Sequence, residues 1–211
     1  MFRAFRFFKL ECLKMNILDN YFMSQPSAQN AIDIFKGQWS SAIPGLESGS
    51  KIPLFNDRRI DLICEKAGDL SDAHILELGP LEGAHSFMLH KKVRQITSIE
   101  ANGIAFLKCL IIKNHFNMHN VSFLLGDFDK HLNECSRYEF ILACGVIYHC
   151  KNPIETIVNM TKKTDTIGIW SHYFIEDNVK SIYGKKFDYH GEVKSYEGFK
   201  GTVFKHNYSD A

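Results

Sequence analysis

Glu77, Gly79, Pro80 and Gly83 fall together in the stretch HILELGPLEG, His74 to Gly83, with an acid two places before a glycine turn. Apolar Ile75, Leu76 and Leu78 precede the break, and an apolar-periodic run (Ala84, Phe87, Met88) follows it, so the segment reads as strand, glycine turn, helix. A glycine there lets the backbone approach a ligand with no Cβ in the way, and the start of the helix offers unpaired N–H groups and a positive dipole end. That chemistry suits a nucleotide-like or carboxylate-bearing ligand. A second acid, Glu100, ends the β-branched run QITSIE about 20 positions beyond the turn, where a carboxylate accepts from ribose hydroxyls. The spacing points to an adenosine-bearing ligand; the alternative is an ordinary strand-end acid capping the next helix. A third acid, Asp127, follows VSFLLG with Phe128 beside it. His149 is the one obvious candidate base, its imidazole in a suitable range for a hydroxyl or amine acceptor, and its other reading is a structural hydrogen-bonder.

The glycine spacing excludes two common nucleotide loops. A dinucleotide fingerprint wants glycines at relative positions one, three and six, held here by Gly79, Leu81 and Ala84. A phosphate-binding P-loop wants Gly-Lys-Ser/Thr after the turn, and none follows.

Positioning these residues falls to five apolar or β-branched runs: 75–78, 95–100, 121–126, 140–144 and 167–170. Helical spacing separates several of them, with Ile104, Leu107 and Ile111 in one helix. A later helix has Asn152 as cap, Pro153 first, Glu155 third and a buried stripe of Ile154, Ile157, Val158 and Thr161. Strands alternating with helices predict an α/β fold, a Rossmann-like doubly wound, mostly parallel sheet with helices on both faces. Such sheets bind ligands beyond the carboxyl ends of their strands, at the topological switch point, and Glu77 to Gly83, Glu100, Asp127 and Cys144 to His149 all fall at those ends.

Residues 1–70 read as a helical N-terminal extension, with one helix after Ser27 (Ala31, Ile32, Ile34, Phe35) and another capped by Asn56-Asp57 (Ile60, Ile63, Cys64). The Gly-, Ser- and Pro-rich loop between them carries Trp39, either as part of a lid over a site or as an anchor on the core. The opening MFRAFRFFKL, with Arg3, Arg6 and Lys9, reads as an N-terminal helix or an organelle transit segment and lacks the apolar core of a secretory signal. Residues 71–211 read as the Rossmann-like domain.

At 211 residues, with 45% hydrophobic and 23% charged residues, the chain predicts one soluble globule. A net charge of +1 gives no support to a nucleic-acid-coating surface, though it leaves room for a local basic patch. Six cysteines without a C-x-x-C pair read as reduced, mostly buried thiols of a cytoplasmic protein. Cys150 beside His149 has no second ligand pair, so no metal is expected, and charge interrupts every apolar run before membrane-spanning length.

The loop resembles the first motif of class I S-adenosylmethionine-dependent methyltransferases, an acid two places before a G-x-G-x-G turn: Glu77, Gly79 and Gly83 match, and Leu81 stands at the middle glycine. A group of these enzymes writes the loop as ELGPLEG. The resemblance covers roughly Asp72 to Trp170, and the run Gly145-Val146-Ile147-Tyr148-His149 is similar to that of a subgroup that includes a carboxymethyl transferase acting on tRNA wobble uridine. It implies S-adenosyl-L-methionine as cofactor. The loop with Pro80 would take the methionine end, Glu100 with Ala101 the ribose, and Asp127 with Phe128 the adenine, while Cys144, Gly145 and Tyr148 would line the methyl-transfer mouth. In-line transfer to an unknown acceptor is the expected reaction, with a degenerate binder or another adenosine-nucleotide enzyme as alternatives. After Trp170 one strand, Thr202 to Lys205, is expected in place of the family's final pair, so the domain reads as C-terminally short. Acceptor, acceptor atom and oligomeric state are not legible in the sequence.

Overall fold

The computed structural model describes residues 21–173, 175 and 191–204. The expected N-terminal helix at Arg3 to Lys9 lies outside the described residues, as do Cys12 and Lys205.

Five parallel strands form the central sheet: β1 (His74–Leu78), β2 (Gln95–Glu100), β3 (Val121–Leu125), β4 (Phe140–Cys144) and β5 (Ile167–Trp170). Their order is β3-β2-β1-β4-β5, so the switch point lies between β1 and β4. The interior strands β1, β2 and β4 are buried almost throughout, as a parallel sheet covered on both faces requires. The fold is the Rossmann-like architecture expected from the sequence.

One apolar cluster lies on one face, including Ile75, Ile96, Cys109, Ile112 and Phe140; a second, around Leu76, Leu78, Ile99, Leu132 and Ile141, lies on the other. The alternation along each strand sends neighbours to opposite faces. Helices α3 (Ala84–Leu89) and α4 (Gly103–His115) cover the first side, and α5 (Phe128–Glu134) and α6 (Pro153–Thr161) the second.

The N-terminal region shares the first cluster, because Ile32, Trp39, Ile43, Phe55 and Ile60 are buried in it. Helix α1 (Ala28–Asp33) starts at Ser27, whose hydroxyl accepts from the N–H of Asn30. Helix α2 (Arg58–Ala67) starts at Asp57, whose carboxylate accepts from the N–H of Arg59. Trp39 resolves to the anchor reading: its ring is buried and its indole N–H donates to the Ile32 carbonyl at 2.9 Å.

Three details differ from the sequence reading. Asn152 does not cap α6 with its side chain but donates to Glu155, and the helix buries Thr156, Asn159 and Met160 where Thr161, expected inside, is exposed. Helix α5 was not expected. In place of the single late strand stands a hairpin, β6 (Glu192–Tyr196) and β7 (Phe199–Val203), which among the described residues pairs only with itself and packs on α6. Its turn holds Glu197 and Gly198 with positive φ, the left-handed conformation of a tight hairpin turn. No helix among the described residues is long and apolar enough to cross a membrane.

Candidate functional site

The carboxyl ends of the strands open into a cavity of about 800 Å³. Gly79, Pro80, Glu100, Ala101, Asp127, Phe128, Cys144, Gly145, Tyr148 and His149 all line it, so four separate strand-end loops meet on one wall. Glu77 and Gly83 stand behind that wall.

Glu77 is buried in β1, where burial pushes its carboxyl above the usual carboxylate range against the influence of nearby His85. One oxygen accepts from the hydroxyls of Ser86 and Ser98 (the latter at 2.8 Å), and the other has no hydrogen-bond partner among the described residues. The Glu77 carboxylate thus ties β1 to β2 and α3 beneath the loop. Gly83 begins α3 with φ +78°, and a Cβ there would stand 3.2 Å from the Phe123 ring, so its smallness serves helix packing.

Gly79, on the cavity wall, is also confined by a neighbour: φ is +63°, and a Cβ would lie 2.8 Å from a methyl of Val146, just past β4. Leu81, at the family's middle glycine, also takes a positive φ of 57°. The backbone thus keeps the left-handed turn a glycine would supply, and the half-exposed leucine side chain bears the strain. The Leu81 N–H donates to Glu100 at 3.0 Å, and the other Glu100 oxygen accepts from the N–H of Asn102 at 2.8 Å. Each carboxylate oxygen has a further lone pair for a ligand. Asp127 caps α5 by accepting from the N–H of Asp129 at 2.9 Å.

At the other end of the sheet order, burial pushes the Cys144 thiol up to about 11, so it is a neutral wall rather than a nucleophile. His149 lies in the short 3-10 turn Ile147–His149, its ring 4.4 Å from that of Tyr148. Burial, and then the nearby His172, lower its pKa, which leaves a neutral imidazole at physiological pH. Tyr148 stacks on His172 at 4.4 Å.

Two features of this wall had no sequence signal beyond helix capping. Buried Glu82 accepts from the N–H groups of Ser40 and Ser41 at 2.8 and 3.0 Å and pairs with buried Lys108 at 2.9 Å, binding the Trp39 loop to the glycine loop. Asp57 accepts from His85 at 3.0 Å and from the Arg59 guanidinium at 2.5 and 2.9 Å, and both basic residues face the cavity. Burial opposes ionisation of Asp57, but the hydrogen bonds from Arg59 and His85 outweigh it and hold its pKa at about 2. Among the described residues there is no cluster of His, Cys, Asp or Glu that could hold a metal.

A parallel sheet of this order with its cavity at the β1–β4 switch point is a Rossmann-like fold, and it is shared with solved structures. The crystal structure of the N-terminal domain of EvdMO1 with SAH bound superposes with a TM-score of 0.59 at 18% identity, covering 86% of this chain and 80% of that one. The same domain in the presence of SAH and D-fucose gives 0.58 at 17% identity, over the same shares. In sequence, the chain is 30% identical over 90 residues to the tRNA U34 carboxymethyltransferase of Campylobacter fetus subsp. fetus, which is 42% of this chain and 32% of that enzyme. The chain thus matches about a third of the length of this curated relative. No protein-family model matches it.

Proposed function

We propose that this chain is an S-adenosylmethionine-dependent methyltransferase. The observation that carries the reading is the convergence of Gly79-Pro80, Glu100-Ala101, Asp127-Phe128 and Cys144 to His149 on one cavity at the switch point, on a fold shared with an SAH-bound domain. The residues fit the donor. Glu100 has spare acceptor capacity for ribose hydroxyls, Asp127 accepts from an adenine amino group, Phe128 offers an apolar face, and Cys144, Gly145 and Tyr148 border the transfer mouth. When bound, the sulfonium supplies an activated methyl group with its own neutral leaving group, and no metal is needed.

The protein's share is to align the acceptor and exclude water. His149, neutral and on the cavity wall, takes the acceptor's proton where the acceptor is a hydroxyl or ammonium group. The described part of the N-terminal region, residues 21–70, acts as a cover at the site, contributing Ser41, Ile52 and Leu54 to the cavity wall. All five described cysteines are unpaired, which supports a cytoplasmic setting. The curated relative makes bulk tRNA the first acceptor to assay, while the net charge of +1 lends that choice no weight of its own.

A thermal-shift comparison tests the reading. S-adenosylhomocysteine should raise the melting temperature progressively with its concentration, roughly as the logarithm above the dissociation constant, while ATP and NAD at the same concentration leave it in place. A shift with NAD or ATP and none with S-adenosylhomocysteine would favour another adenosine-nucleotide enzyme.

A further inference from the structure

The cavity has two electrically distinct ends. Along the sheet order, the β3–β2 end presents Asp127, Asp129 and Glu100, whereas the β4–β5 end presents Arg59 and His85 beside Tyr148. A ligand with hydroxyl and amino donors at one end and an acid at the other fits in one direction only, because a carboxylate placed among the three acids is repelled.

Arg59 is prepared for that acid. Its Nε donates to both Asp57 oxygens at 2.9 Å, Nη2 donates to one of them at 2.5 Å, and the guanidinium lies 4.3 Å over the Trp170 ring. Nη1 has no acceptor among the described residues, and the side chain is 30% exposed, toward the cavity it lines. Beside it, His85 is fixed through Nε2 to the same carboxylate at 3.0 Å, and its Nδ1 has no partner among the described residues. A guanidinium pinned on two sides loses little freedom when it meets a planar carboxylate.

We propose that Arg59, held by Asp57 and Trp170 and flanked by His85, binds the α-carboxylate at the amino-acid end of the methyl donor; this rests on the methyl-donor reading above. The competing role is structural, since the same contacts brace α2 against α3 and β5.

Calorimetric titrations of the full chain with S-adenosylhomocysteine and with its decarboxylated analogue, S-adenosyl-3-thiopropylamine, separate the two roles. The parent should prefer the carboxylate-bearing ligand by about 10- to 100-fold, the range for hydrogen bonds to a charged group. Arg59→Gln should lose that preference while binding the analogue as the parent does, with its melting curve recorded as the check on folding. Arg59→Lys keeps the charge without the planar fork, so its preference should fall between the two, and it carries the test if Arg59→Gln does not fold. Full preference retained in either variant overturns the assignment, as does an equal loss of both ligands in Arg59→Gln. If the parent binds neither ligand, the methyl-donor reading itself fails.

Discussion

Lys108→Met removes one charge from the buried pair that joins the Trp39 loop to the glycine loop. In the parent the ammonium group donates to Glu82 at 2.9 Å and to the Gln38 carbonyl, and lies 5.2 Å from the centre of the Trp39 ring. Both charged side chains are almost fully buried, at 7% and 1% exposure, so solvent screens the pair little. Methionine fills similar space but leaves the Glu82 carboxylate with only the Ser40 and Ser41 N–H groups. Breaking a buried pair by removing one partner costs about 3–5 kcal/mol. For a chain of this size about 2–4 °C accompanies each kcal/mol, so the melting temperature should fall by roughly 6–20 °C. Urea unfolding followed by circular dichroism and tryptophan fluorescence measures the loss. A change below about 1 kcal/mol, the value of an exposed ion pair, would refute the claim that this pair braces the site.

Gly79→Ala should destabilise the fold by about 2–4 kcal/mol, combining a left-handed alanine with overpacking against Val146, and thermal melting would show it; a near-parental melt would contradict the contact. Asp57 titrates lower in the folded state than in the unfolded chain, so its stabilisation is complete above about pH 4 and fades as pH falls to about 2. The stability gap between parent and Asp57→Asn, on the order of 2 kcal/mol near neutrality, should therefore close on acidification across that window, and a gap that persists at the acid end would count against it. Glu100→Ala should weaken S-adenosylhomocysteine binding by about 10- to 100-fold and cost about 1–3 kcal/mol of stability, because the N–H groups of Leu81 and Asn102 lose their acceptor. Calorimetry and melting report the two effects separately, and unchanged affinity would return Glu100 to a purely structural role.

The five central strands were legible because a two-faced parallel sheet demands continuous apolar runs, and β2, β4 and β5 occupy the expected residues. Ser27 and Asp57 announced their helices by capping chemistry that is local in sequence. Helix α5 escaped because FDKHLNE buries only Leu132, too little for an apolar period. The hairpin of β6 and β7 is largely exposed and carries little alternation, so its register rests on the turn and on pairing. The cavity acids and glycines stood out by spacing along one chain segment. Arg59 and His85 did not, since Asp57 brings together residues 26 apart in sequence and nothing local marks the meeting. The same holds for Glu82 and Lys108, also 26 apart. Gly79 was read as clearance for a ligand; its close contact with Val146 across the switch point became visible only once β1 and β4 were neighbours.

A crystal structure of the full chain grown with saturating S-adenosylhomocysteine tests the central claim most directly. The ligand should lie in the cavity at the β1–β4 switch point, with its ribose hydroxyls on Glu100 and its adenine beside Asp127 and Phe128. An empty cavity under those conditions, or a ligand bound away from the strand ends, would contradict the account.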